Sequence, residues 1–150
     1  MVGNLRKLRA RVGVKVMFVV KADAYGHDAA LCALAAERAR AADWLGVSSV
    51  EEGVALREAG ARLPILVLGS LYPFESVLAA AAHDLTPIVA SLESVQRVAE
   101  AASRLRRIIN VHLDYLCVAG IVFRVIAGLC QRQARSDGDI EVTALHREIS

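Results

Sequence analysis

Apolar and polar positions along the chain follow two periods in turn. Val14-Lys15-Val16-Met17-Phe18-Val19-Val20 is rich in β-branched and aromatic residues and predicts a buried strand. Ahead of it, Asn4 to Arg11 repeats Leu and Arg at helical spacing, which predicts a short amphipathic lead-in helix. From His27 to Ala42, Leu31, Leu34 and Ala35 share one side and Glu37, Arg38 and Arg40 the other, predicting a second helix. Trp44 to Ser48 reads as a strand. Ser49 with Glu52 three residues on is a capping box that opens a helix from Val50 to Ala59, with Gly60 just past its end.

The alternation continues. Pro64 to Gly69 is an unbroken apolar strand of the fully buried kind, and Pro73 to His83 a helix with Pro73 in its first turn. Leu85 to Val89 is a strand, Ser91 caps a helix from Leu92 to Arg104, and Ile108 to Leu113 is a strand. A turn at Ser136-Asp137-Gly138-Asp139 precedes a sixth strand candidate, Ile140 to Leu145. Strand and helix thus recur about every 22 residues, the signature of βα units on a parallel sheet. Strand order is not readable from this pattern, and a doubly wound sheet and a (β/α)₈ barrel look alike in it. Five strands and a sixth candidate compare with the eight strands and ~250 residues of a closed barrel. A barrel reading makes residues 1–150 a single domain holding part of one.

Composition narrows the partners. The apolar fraction is 55% and the net charge +2, with acidic and basic residues interleaved, so nothing marks a surface for nucleic acid. Cys32, Cys117 and Cys130 are widely spaced and suggest free thiols in a reducing compartment rather than a metal site. The basic N-terminal stretch lacks the apolar core of a signal peptide. The most hydrophobic segment, Leu116 to Cys130, is interrupted by Arg124 and too short to span a bilayer. The expectation is a soluble cytoplasmic chain.

Candidate chemistry gathers at the end of the first strand, where α/β folds place their sites. Lys21 follows the apolar run directly, and Tyr25, Gly26 and His27 come next. Two readings of Lys21 stand at this point. One is a solvated lysine at a strand exit. The other is an amine held partly in an apolar wall, able to attack a carbonyl or to hold an aldehyde cofactor as a Schiff base. Tyr25 offers a hydroxyl near the same mouth, and His27 is expected to start the next helix, where an anion could bind.

The string Val19-Val20-Lys21-Ala22-Asp23-Ala24-Tyr25-Gly26-His27 closely resembles the cofactor-lysine motif of the alanine racemase family, whose members follow the histidine with Gly where this chain has Asp28. The resemblance extends through Asn4-Leu5-Arg6, Asp43 to Val47, Glu51-Glu52, Ala55 to Gly60, Pro64 to Gly69, His83 to Pro87 and Val111 to Leu113. It covers roughly residues 4 to 113. It implies the N-terminal part of a (β/α)₈ barrel binding pyridoxal 5′-phosphate. Lys21 would carry the cofactor and act as one of two proton-transfer bases. Tyr25 would bond the cofactor phosphate, and Leu68 would line its pocket. The implied reaction interconverts L- and D-alanine, for D-alanine supply to peptidoglycan, in a homodimer when the family's chain is full length.

After Leu113 the likeness breaks. Where the family carries an active-site arginine the chain reads Asp114 to Arg124, with Gly120 at the arginine's place. Glu141 to His146 resembles the family's next strand, but Arg147-Glu148 replaces the Thr-His pair expected after it. None of Tyr25, Tyr72 and Tyr115 matches the family's second base. The 150-residue chain alone is therefore expected to racemise alanine poorly or not at all. The alternatives are a non-catalytic remnant or assembly module of the same fold, or a related barrel racemase acting on another amino acid such as serine.

Overall fold

A computed structural model describes residues 1–69 and 71–114. Five strands, β1 (Met17–Val19), β2 (Trp44–Val47), β3 (Ile65–Val67), β4 (Thr86–Val89) and β5 (His112–Leu113), form one parallel sheet in the order β1-β2-β3-β4-β5. This order decides what periodicity left open. A doubly wound sheet reverses direction at a switch point. Here every crossover steps the same way, so right-handed connections put the crossover helices on one face. The result is the wall of a (β/α)₈-type barrel, five strands long. The sixth strand candidate, Cys117, Cys130 and His146 lie outside the described residues.

Six helical segments accompany the strands: α1 (Val2–Val12), α2 (Lys21–Gly26), α3 (Ala29–Arg38), α4 (Val50–Glu58), α5 (Phe74–Ala82) and α6 (Leu92–Leu105). Side chains alternate across a strand, and the two faces differ sharply. Val20, Leu45, Val47, Ile65, Val67 and Val89 are buried in a core shared with Ala33, Leu56, Val77, Ala80, Val98 and Ala101 from the helices. The register pairs Val19 with Gly46, Leu66 with Thr86 and Ile88 with His112, so these residues line the opposite, inner face. That face is apolar but open: Met17 keeps 39% of its surface exposed and Leu68, just past β3, 38%.

Local chemistry explains the boundaries. Ser49 accepts from the Glu52 N–H, and Ser91 and Ser94 form a complete capping box at α6. Gly60, at φ 97°, follows α4 in a conformation that only glycine adopts without strain. Pro73 caps α5 from just outside it, through a cis bond to Tyr72, rather than sitting in its first turn. The first strand is shorter than the run Val14–Val20, because Val16 is engaged by the loop before β2. Its N–H donates to Asp43 Oδ2 at 2.8 Å and its carbonyl accepts from the Asp43 N–H at 2.8 Å.

Asp43 also receives both guanidinium nitrogens of Arg9, at 2.7 and 2.8 Å, and so ties α1 to the sheet. The Arg9 bond, reinforced by the Val16 N–H, holds the Asp43 carboxyl below its ordinary 3.8 against the opposing effect of burial. A depressed carboxyl stabilises the fold above its unfolded pKa and loses that contribution as pH falls through the folded value. Thermal scans of the wild type should therefore lose this contribution only below about pH 4. Asp43→Asn should show a shallower loss over the same acid window. Parallel acid profiles for the two proteins would contradict the assignment.

Candidate active site

The mouth of the sheet, at the C-terminal ends of the strands, is built around a left-handed turn. Lys21 is the first residue of α2 and not the last of a strand, and Ala22, Asp23, Ala24 and Tyr25 follow at φ 50–56° and ψ 39–50°. Bonds from Ala24 N–H to the Val20 carbonyl (2.9 Å) and from His27 N–H to the Asp23 carbonyl (2.9 Å) close one left-handed helical turn. None of the four residues is glycine. The arrangement costs roughly 1–2 kcal/mol per residue, and backbone strain of this kind concentrates at functional sites.

The turn and its surroundings fix each expected site residue. Lys21 is half-buried, and its ammonium makes no hydrogen bond or ion pair among the described residues. Tyr25 stands out from the turn with 63% of its surface exposed. Leu68 lies beside Gly46, where an added Cβ would sit 3.5 Å from Leu68 Cδ1, 3.2 Å from Val19 Cγ2 and 3.1 Å from Met17 Sδ. Gly46 is thus a flat spot on the inner face, paired in register with Val19, which lies two residues before Lys21.

His27 does not open α3, and the helix does not begin there. Asp28, at φ 66°, is its N-cap, and α3 runs from Ala29 to Arg38. Asp28 Oδ1 accepts from the Leu31 N–H at 2.9 Å and Asp23 Oδ1 from the Ala29 N–H at 2.8 Å. Two carboxylates fill this helix start, so the anion site expected at His27 is not there. The His27 Nδ1 faces the Ala24 and Tyr25 carbonyls at 3.0 and 3.2 Å, and two acceptors require that nitrogen to carry the proton. Replacing Asp28 by alanine should cost about 1 kcal/mol through loss of the cap, read as a lower urea midpoint; an unchanged midpoint would remove Asp28 from the account.

Glu52 is the site residue that the sequence pattern assigned only to a cap. Its Oε1 accepts from the Ala22 N–H at 2.8 Å, and its Oε2 from the Ser48 N–H (2.7 Å) and hydroxyl (2.8 Å). Partial burial raises its pKa, but the donors at Ser48, Ala22 and Ser49 outweigh burial and leave the carboxyl below its ordinary range. A separate hollow of about 580 Å³ is bounded by Phe18, Val19, Ala24, Tyr25, His27 and Leu31. Of the expected site residues, Tyr25 faces that hollow, while Lys21 and Leu68 lie outside it.

Comparison with known proteins gives this mouth a lineage. Residues 1–121 match the profile of the alanine racemase N-terminal domain. The chain belongs to the alanine racemase family. It is 43% identical over 115 residues to the alanine racemase of a Synechocystis strain, covering 75% of this chain and 31% of that relative. The solved alanine racemase of Streptomyces coelicolor superposes with a TM-score of 0.74 at 32% identity, over 95% of this chain and 39% of that one. A histidine racemase from Leuconostoc mesenteroides superposes at 0.66 with 28% identity, over 74% of this chain and 30% of that one. The chain thus spans about a third of the length of these relatives.

Within the alanine racemase family, the residues present fit a planar aldehyde cofactor. A half-buried lysine, without a polar partner among the described residues, stands at the rim of an apolar face on which the side chains of Met17, Val19 and Leu68 close over Gly46. Asp28 departs from the family's glycine at a positive φ, a conformation Asp tolerates better than most residues.

Proposed function

We propose that this chain is the cofactor-holding segment of a pyridoxal 5′-phosphate-dependent amino-acid racemase that interconverts L- and D-alanine. The observation that carries the reading is the half-buried Lys21, without a polar partner among the described residues, on a strained turn beside the apolar inner face. When bound, pyridoxal phosphate supplies an electron sink next to the substrate's α-carbon. Lys21 Nζ would hold the cofactor covalently until the substrate's amino group takes its place and, released as a free amine, would move the α-proton on one face. Val19 and Leu68, packed over Gly46, would form an apolar floor that keeps water from that face, and the exposed Tyr25 hydroxyl would bind the phosphate. A base on the opposite face, needed for inversion, belongs to the rest of a full-length enzyme, which we place in a cytoplasmic homodimer supplying D-alanine for peptidoglycan.

The test reads proton transfer at one face. With pyridoxal phosphate and alanine in deuterium oxide, the chain should incorporate deuterium at the α-carbon faster than free cofactor does. Lys21→Ala should return the rate to that of free cofactor. Equal rates for wild type and Lys21→Ala would refute the reading. The likeness to a histidine racemase favours a second reading, in which this wall holds the cofactor while other parts choose the amino acid. Running serine and histidine beside alanine separates the two.

A further inference from the structure

We propose that Glu52 is a positioning residue, whose carboxylate fastens the start of the left-handed turn to the end of β2 and so presents Lys21 and Tyr25 together at the mouth. The inference rests on the reading of Lys21 as the cofactor lysine.

The turn supplies partners for the N–H groups of Ala24 and His27 from its own carbonyls, but the Ala22 N–H points out of it, to Glu52 Oε1. That bond pins the residue directly after Lys21, where the chain leaves right-handed space. Glu52 can hold it because α4 starts immediately after β2, and the other carboxylate oxygen is anchored by the Ser48 N–H and hydroxyl. Only an ionised carboxylate accepts from all three donors at once. A glutamine has one accepting oxygen, and its NH₂ would face the remaining backbone N–H. Ser48 is itself confined: a Cβ on Gly69 would lie 2.2 Å from the Ser48 carbonyl oxygen, so the chain after β3 passes against the back of the anchor. Lys21, Ser48 and Leu68, at the ends of three adjacent strands, are thereby referenced to one carboxylate.

The test compares wild type, Glu52→Ala and Glu52→Gln as full chains. Backbone amide exchange is followed by NMR. Capture of pyridoxal phosphate is followed by borohydride trapping, with Lys7 and Lys15 as internal controls. In Glu52→Ala the Ala22 amide should exchange about tenfold faster, with β3 and β4 amides unchanged. Labelling of Lys21 relative to Lys15 should fall about tenfold as well. Glu52→Gln should lie between, and it carries the test if Glu52→Ala does not fold. Unchanged exchange at Ala22 overturns the inference. Faster exchange with an unchanged labelling ratio also overturns it, leaving Glu52 a purely structural residue. A wild type that shows no preference for Lys21 sinks the cofactor reading instead, and the exchange result still decides whether the carboxylate fastens the turn.

Discussion

Gly69→Ala should lower stability by about 3 kcal/mol, the upper end of the cost of forcing atoms into a packed site. The added Cβ would fall 2.2 Å from the Ser48 carbonyl oxygen and 3.4 Å from its carbon. The obstacle is backbone, so no side chain can rotate away. Either the end of β2 or the loop after β3 must shift by about 1 Å to restore van der Waals contact. Since Ser48 holds Glu52, the shift should also reach the Ala22 amide and weaken capture at Lys21. Urea unfolding followed by the single tryptophan, Trp44, measures the first effect. A midpoint equal to wild type would show that the two loops do not meet as described.

Arg57→Ala should cost a similar amount, about 3 kcal/mol, at the opposite end of the sheet. The Arg57 guanidinium donates to the carbonyls of Ala61 (2.9 Å), Leu63 (2.7 Å), His83 (3.2 Å) and Asp84 (3.1 Å). It joins the loop entering β3 to the loop entering β4 through one planar fork. Lysine has a single ammonium on a flexible stem and cannot reproduce that geometry. Arg57→Lys should therefore recover less than half of the loss. Full recovery by lysine would mean that charge alone matters at this position. Because the site lies at the other end of the strands, Arg57→Ala molecules that remain folded should capture cofactor at Lys21 like wild type.

Much of this architecture is legible in the sequence because burial and capping are local matters. The continuous apolar run Pro64 to Gly69 could only be a strand covered on at least one face, and Ser49 and Ser91 announce their helices by chemistry that acts within four residues. Strand order is not local. It follows from each crossover packing back onto its own strand, and no residue pattern records the direction of each step. The left-handed turn was also out of reach, since Ala22, Asp23, Ala24 and Tyr25 contain none of the glycine that usually betrays positive φ. Its conformation is imposed by neighbours, Glu52 among them. For the same reason the motif pointed to Lys21, Tyr25 and Leu68 but gave Glu52 only a capping role. The Glu52 side chain keeps the Ser49 backbone N–H at the helix start and also serves a segment 30 residues earlier. Asp28 shows the converse: the expected helix start at His27 failed because the residue after it was the better cap.

If the mouth of this sheet takes pyridoxal phosphate on Lys21, the chain offers an internal standard for it, having only three lysines, Lys7, Lys15 and Lys21. Lys7 and Lys15 are exposed and Lys21 is half-buried, so chance modification favours the first two. The deciding measurement is borohydride reduction of the chain with pyridoxal phosphate at equal concentration, followed by peptide mass spectrometry. One label per chain is expected, on Lys21, with no visible absorbance from lysine-bound cofactor in Lys21→Ala. Labels distributed over Lys7 and Lys15 in preference to Lys21 would contradict it.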